Sequence, residues 1–103
     1  MVRKKKPVYT KIINERYPLS RKRGGGVIKI EAWEDEKGNI GKYNIAYINT
    51  LLYQNDNGIV IDYDNAHNYH HKYCLGEVLP VDDFISYEDI IERFENDIKE
   101  YIK

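Results

Sequence analysis

The sequence contains one cysteine and three prolines, and no apolar segment approaches the roughly 18 residues that a membrane-spanning helix requires. The single thiol, Cys74, excludes an internal disulfide framework and is typical of a protein of the reducing cytoplasm. No apolar stretch follows the charged N-terminus, so we expect neither a secretory signal nor a transmembrane segment. The remaining composition, 42% apolar and 32% charged over 103 residues, predicts one globular domain.

The net charge of −1 conceals an uneven distribution along the chain. Residues 1–29 hold ten basic residues and one acid, a balance of +9, whereas residues 30–103 hold six basic residues and sixteen acids, a balance of −10. Such a charge distribution favours binding of phosphates at the basic end and of a basic protein at the acidic end. If the two halves instead pair across one sheet, their charges largely cancel. We predict a flexible basic tail over residues 1–7 and a single domain over residues 8–103.

Hydrophobic alternation predicts strands over residues 8–17, 27–34, 42–52 and 59–63. Polar turns separate the later strands at residues 35–39 and 54–58, and the second turn contains an Asn-Gly pair, which favours a tight hairpin. We interpret residues 64–80 as a loop. The three glycines at positions 24–26 do not form a phosphate loop and are expected to bend a hairpin.

A C-terminal helix is predicted to begin after Ser86, a favourable N-cap residue that Asp89 follows three positions later. Its apolar stripe comprises Tyr87, Ile91, Phe94, Ile98 and the pair Tyr101/Ile102. Its exposed side is expected to carry Glu88, Glu92, Glu95 and Asp97. The fold class is therefore α+β: an antiparallel β-meander of about four strands packed against one C-terminal α-helix, with two open sheet edges. Exposed edges of small sheets often pair, so a homodimer is one expected assembly.

All three histidines, His67, His70 and His71, lie within five residues of one another. Together with Asp64 and Cys74 they are metal-ligand types at short spacing. A structural zinc site usually takes ligands from two segments, however, and no other Cys or His exists to complete one. We predict no metal and no cofactor. Cys74 as a nucleophile with a histidine base is a weaker alternative.

Acid–base chemistry on RNA is the second interpretation of this segment, because a histidine can both accept and donate a proton near neutral pH. Here His71 is the first candidate for the base or acid and His70 is its partner. Lys72 would stabilise the phosphorane charge, and Tyr73 would donate a proton or stack on a base. No metal ion is needed for cleavage through the 2′-hydroxyl group.

The candidate binding residues extend beyond the catalytic ones, and two further interpretations of the segment stay open. Asp64 and Asn65 would orient the loop, His67 would contact the ligand, and a basic group would bind the RNA backbone: Arg21, Lys22 and Arg23. The same residues also suit recognition of a nucleotide without catalysis, by charge and stacking. In the last interpretation the segment only caps turns and packs.

The segment from Tyr63 to His67, followed after a short gap by His70-His71-Lys72, resembles the signature of the TumE family of small prokaryotic proteins. A strand ending in Trp33, the segment 42–48, an Asn-Gly turn and a terminal amphipathic helix extend the resemblance over residues 27–102. Members of the family often carry a His–basic–His triplet where this chain has His71-Lys72-Tyr73. Either Tyr73 or His70 would then perform the function of the last histidine of that triplet.

The resemblance implies a cytoplasmic toxin of a toxin–antitoxin pair, whose partner is a helix-turn-helix antitoxin protein. Its target would be RNA, free or on the ribosome, cleaved without a metal ion. The alternative is a non-catalytic interaction or nucleic-acid-binding protein that uses the sheet edge and the acidic helix.

Overall fold

The computed structural model describes residues 8–102; residues 1–7, for which a basic tail is predicted, and Lys103 lie outside the described residues. Six strands form one antiparallel sheet in which each strand pairs with its neighbours in sequence. The elements are β1 (Thr10–Pro18), β2 (Val27–Glu34), β3 (Ile40–Ile48), β4 (Ile59–Asp64), β5 (His71–Cys74), β6 (Glu77–Pro80) and α1 (Tyr87–Ile98).

The α+β class, with an antiparallel sheet and a C-terminal helix, is confirmed, but the count of about four strands was wrong. The interval 64–80, predicted as a loop, contains β5 and β6 as a short hairpin. These strands escape the sequence pattern because β5 carries polar residues on both faces and β6 is exposed throughout. Pro80 is tolerated in β6 because an edge strand does not need every backbone N–H for pairing.

The core lies between α1 and one side of the sheet, which we call the helix face. Strand alternation directs every second residue of β2, β3 and β4 to this face. The buried side chains there are Ala32, Tyr43, Ile45, Tyr47, Ile61, Tyr63, Ile90, Phe94 and Ile98. The opposite side, which we call the outer face, carries Asn44, Asp62 and Asp64 on the same central strands. Val60 and Ala46 are buried on the outer face as well, so this face is polar only in part.

Helix α1 begins where the sequence predicts. The Ser86 hydroxyl accepts a hydrogen bond of 3.0 Å from the Asp89 backbone N–H, and Glu88 and Asp89 lie in the first turn, where negative charge is favourable. The buried positions are Ile90, Phe94 and Ile98. The other residues of the predicted stripe are partly buried against the core, and Ile90 joins them. No helix in the described part of the chain is long and apolar enough to cross a membrane.

The glycine triplet joins β1 to β2 and is tied to the far end of β3. Gly26 has φ +85°, and a Cβ atom there would lie 2.6 Å from the Ile48 carbonyl oxygen, so only glycine fits without a shift. Asn49, 2% exposed, donates to the Gly24 carbonyl, and Tyr47 donates to the Gly25 carbonyl, each at 2.9 Å. These bonds fix the end of the sheet that carries residues 21–23.

Candidate functional site

Strand alternation divides the four predicted catalytic residues between the two faces of the sheet. Within β5, Lys72 points to the helix face, whereas His71 and Tyr73 point to the outer face; His70 immediately precedes the strand. A side-by-side arrangement of His70, His71 and Lys72 is therefore not formed, and the four side chains do not converge on one spot.

His71 is bound to the neighbouring strand. It lies directly opposite Asp64 in the β4–β5 register, and its Nε2 atom is 2.8 Å from the Asp64 Oδ1 atom. Its Nδ1 atom is 3.4 Å from the Tyr69 carbonyl oxygen, and the Tyr69 ring lies against the imidazole with centroids 4.8 Å apart. The side chain is only 13% exposed. Through these contacts His71 links β5 to β4 on the outer face.

Lys72 and Asp97 form an ion pair between the sheet and the helix. The Lys72 Nζ atom is 2.8 Å from the Asp97 Oδ2 atom, which also accepts a 2.5 Å hydrogen bond from the Tyr63 hydroxyl group. Burial, followed by the bond to Asp97, raises the pKa of Tyr63, so the phenol stays protonated. Asp97 was predicted on the exposed side of α1, and this contact corrects that placement.

Tyr73 is held at the opposite end of β5. Its hydroxyl group donates to the Asp56 carboxylate, and this hydrogen bond is the main reason that the pKa of Tyr73 is raised. Asp56 also accepts a hydrogen bond of 3.2 Å from the Tyr53 hydroxyl group. Tyr73 therefore links β5 to the connection between β3 and β4.

His70 occupies a different environment, between two aromatic rings on the helix side. Its Nδ1 atom is 2.9 Å from the Tyr43 hydroxyl oxygen, and its ring stacks on Phe84 with centroids 3.6 Å apart and planes 5° from parallel. Its Nε2 atom makes no hydrogen bond with the described residues. Burial, and then the proximity of His71, lower the pKa of His70 from 6.5, which favours the neutral ring at neutral pH.

Arg93 holds the segment that carries Phe84. Its guanidinium group bonds to both carboxylate oxygens of Asp83 at 3.0 and 3.2 Å, and to Asp89 within α1 at 2.8 Å. This two-sided contact fixes the connection between β6 and α1 next to the helix N-terminus. The ring of Phe84 is thereby presented to His70.

A hollow of about 420 Å³ opens beside His70 at the end of the sheet where β3 begins and β4 ends. We call it the His70 groove. It is lined by the side chains of Tyr9, Lys42, Asn65, Asn68 and His70, with Gly41 and Ala66. It offers one imidazole, one phenol ring and the Asn68 amide, whereas the Asn65 amide is bonded to the β3 backbone and the Lys42 ammonium group lies over the Trp33 ring, 4.6 Å from its centroid. An imidazole, an aromatic surface and an amide suit a nucleotide, and Lys42 adds positive charge nearby.

Asn65 builds one wall of this groove. Its Oδ1 atom accepts a hydrogen bond of 3.0 Å from the Tyr43 backbone N–H, and its Nδ2 atom donates to the Gly41 carbonyl at 2.9 Å. The Asp64 carboxylate accepts from the Ala66 backbone N–H at 3.0 Å. A Cβ atom on Gly41 would come within 2.5 Å of the Tyr9 ring, so the glycine allows that ring to lie on β3.

The predicted backbone-binding residues lie elsewhere. Arg21, Lys22 and Arg23 form an exposed 3-10 turn just before β2, whereas the His70 groove lies at the start of β3. Because β2 and β3 run antiparallel, these places are at opposite ends of the hairpin. At about 3.3 Å per residue, the length of β2 separates them by roughly 25 Å.

A metal centre finds no support in the geometry. Among the residues whose placement the structure describes, no group of three or more His, Cys, Asp or Glu side chains is close enough to hold a metal ion. His67 belongs to a short 3-10 turn, Ala66–Asn68, and its side chain lies outside the described part of the structure. Cys74 is half-buried at the end of β5 and carries no disulfide.

Sequence reasoning missed Tyr43, Phe84, Lys42, Tyr9 and Asn68 as site residues. Tyr43 resembles any apolar strand residue, and Phe84 lies in a connection without a repeating pattern. Only a contact between elements distant in sequence identifies them. The one available signal was the density of tyrosines around a histidine-rich segment.

No protein-family model, curated protein or solved structure matches the chain. The functional inference therefore depends on the geometry of the groove and on the short motif in residues 63–72.

Proposed function

We propose that this chain is a toxin of the TumE kind that acts on RNA, and that RNA binds in the His70 groove. One observation carries the proposal: His70, held by Tyr43 and Phe84, lines the same hollow as Lys42 and Tyr9. Histidine can move a proton at neutral pH, lysine can pair with a phosphate, and tyrosine can stack on a base.

The chemistry requires only one imidazole that works twice. When Nδ1 of His70 carries the proton and donates to Tyr43, Nε2 presents a lone pair that can accept the proton of an RNA 2′-hydroxyl group. The O2′ atom then bonds to the adjacent phosphorus, the bond from phosphorus to O5′ breaks, and His70 returns the proton to O5′. The products are a 2′,3′-cyclic phosphate and a 5′-hydroxyl end. Lys42 also lines the groove, and its ammonium group, which lies over the Trp33 ring, adds positive charge that favours binding of the RNA phosphates.

The first test is cleavage of a labelled twelve-nucleotide RNA by the purified chain in the presence of a chelator. We expect His70→Ala to lower the rate by about 100-fold or more, because general acid–base catalysis contributes that much. His71→Asn should keep cleavage within a few fold in folded protein, because His71 is bonded to Asp64 on the other side of the sheet. Loss of cleavage only in the His71→Asn variant would contradict the proposal and assign the catalytic role to His71 on the outer face.

A matched lysine pair tests the phosphate contact. Lys42→Gln should raise KM, whereas Lys37→Gln, in the exposed turn between β2 and β3, should leave it unchanged.

In the wild type, kcat/KM should rise with pH through a pKa below 6.5, because the base must be neutral and the pKa of His70 is lowered.

Expression in bacteria tests the toxin assignment itself. The wild-type chain should slow growth, and His70→Ala should relieve the inhibition at equal protein level. Growth inhibition that persists in a folded His70→Ala variant would contradict catalysis at the groove. An absence of cleavage with both naked RNA and ribosomes would contradict action on RNA.

A non-catalytic interaction protein is the second candidate function. It is favoured by β6, an edge strand whose four residues are all exposed, among them Val78 at 53%. Under this alternative the His70 groove would bind RNA without cutting it, or a partner would add a strand to β6. Cleavage that depends on His70 excludes it.

A further inference from the structure

Helix α1 covers only part of the helix face. The six strands span roughly 25 Å from first to last, since neighbouring strands lie about 4.8 Å apart, and one helix is about 10 Å across. Accordingly, α1 packs on β3 and β4. The helix-face side chains of β1 and β2 extend beyond it.

An apolar groove follows this uncovered part of the sheet. Two adjoining hollows of about 470 and 320 Å³ share Tyr17, Ile28, Glu95 and Ile98. We call them together the β2–α1 groove; Ile30 and Ile91 complete the floor and wall. Tyr17 is 46% exposed although its ring lies on this apolar surface. A contiguous apolar groove of this kind on a small protein marks a place where another surface binds.

The two ends of the β2–α1 groove carry opposite charges. Arg23 and Lys99 line the end next to the C-terminus of α1. At the other end, Glu15 lies opposite Ile30 in the β1–β2 register, and Glu88 lies in the first turn of α1. Glu95 lines both hollows between these ends, so the basic charge is confined to the end that carries Arg23 and Lys99, and the rest of the groove is acidic.

We propose that the β2–α1 groove binds an amphipathic α-helix of a partner protein, which lies antiparallel to α1. A second helix beside α1, at the usual 8–10 Å separation, would cover the β1–β2 side of the sheet. Helices favour acidic residues in the first turn and basic residues in the last. The acidic first turn then meets Arg23 and Lys99, and the basic last turn meets Glu15 and Glu88.

Other occupants fit the groove less well. A strand adds to a sheet edge, where backbone groups are unpaired, whereas this groove lies on a sheet face. A second copy of α1 would bring an exposed side that carries Glu88, Glu92 and Glu95 and so offers no apolar stripe. The groove is also separate from the His70 groove, so the proposal does not depend on RNA cleavage.

Two synthetic helical peptides test the proposal by fluorescence anisotropy with the purified chain. Both carry leucines at positions i, i+3, i+4 and i+7; one has a glutamate-rich first turn and a lysine-rich last turn, and the other has these charges exchanged. We expect the first peptide to bind about tenfold more tightly. The double variant Arg23→Glu/Lys99→Glu should reverse or abolish the preference.

Single variants locate the binding site. Ile28→Lys should weaken binding of the first peptide by at least about tenfold, whereas Val78→Lys, on the exposed edge strand β6, should not change it. If Ile28→Lys fails to fold, the already exposed Tyr17→Glu gives the same readout. Equal binding of both peptides, or binding unaffected by Ile28→Lys and Tyr17→Glu, would overturn the proposal. So would a dimer, seen by sedimentation, that Ile28→Lys dissociates, because a second copy would then occupy the groove.

Discussion

Asp62 shows at the scale of one residue how the outer face responds to pH. Its Oδ1 atom is buried and has no hydrogen-bond partner among the described residues, and the same is true of Asn44 Oδ1 on the adjacent strand. Burial, and then the proximity of Asp64, raise the pKa of Asp62 from 3.8 to about 8. The folded state therefore holds this proton more tightly than the unfolded chain does. The stability that it contributes is complete below pH 3.8 and is lost as the pH rises through about 8.

We predict that Asp62→Asn unfolds at a higher temperature than the wild type near pH 8.5, because the variant carries no charge to bury. The difference in unfolding temperature should be largest at this pH and should shrink towards zero near pH 4, where Asp62 is protonated in the folded state and largely protonated in the unfolded chain. Thermal melts at the two pH values measure it. The exposed Asp82→Asn serves as control and should match the wild type at both. An Asp62→Asn variant that is no more stable near pH 8.5 would contradict the burial of this charge.

The β5–β6 hairpin is the element that the sequence pattern did not reveal. Its two-residue turn, Leu75-Gly76, places both residues at positive φ, 47° and 88°. Such a turn normally takes Asn-Gly or Asp-Gly, since a leucine in the left-handed region costs about 1 kcal/mol. The structure tolerates Leu75 here because the register of β4, β5 and β6 closes the turn on both sides.

Leu75→Asn should stabilise the protein by about 0.5–1 kcal/mol, because asparagine tolerates the left-handed conformation and the leucine side chain is 45% exposed. Urea denaturation gives the difference in the free energy of unfolding. Leu75→Ala is the control: it removes the side chain but keeps the cost of positive φ, so it should bring no gain. Destabilisation by Leu75→Asn would show that the leucine contributes through packing.

The molecule as a whole separates its two candidate RNA contacts. The His70 groove and the basic turn at residues 21–23 lie at opposite ends of the β2–β3 hairpin. A very short RNA can occupy the groove alone, whereas a longer one can reach the basic turn as well. Charge along the path would then add to affinity without adding specificity.

Substitution of Arg21, Lys22 and Arg23 by glutamine should weaken binding of a twelve-nucleotide RNA and leave the affinity for a dinucleotide unchanged. The dependence of log K on log salt for the longer RNA should also become shallower, by about 0.7 for each phosphate that the variant no longer neutralises. Titrations by anisotropy at several salt concentrations measure both. An equal loss of affinity for the two lengths would mean that the turn acts through the fold. The Lys37→Gln variant controls for the removal of one surface charge.

Several parts of the fold were predictable because their signals are local. Alternation gave residues 27–34 as a strand with the observed bounds, and Ser86 marked the start of the helix. The hairpin at residues 71–80 was not predictable, because its strands lack apolar alternation and its turn lacks the usual residues. The density of histidines indicated one segment as the candidate site, but it could not show that neighbouring histidines point to opposite sides of the sheet.

Local chain chemistry by itself determined the α+β class, the helix cap and the position of the histidine-rich segment, since each depends on residues within a few positions of one another. Tertiary structure alone decided which of those histidines faces a groove. The partners of His70, Tyr43 and Phe84, come from positions 27 residues before it and 14 residues after it. Strand pairing and helix packing bring these rings together, and a pattern of neighbouring residues cannot predict a contact between residues so far apart in sequence.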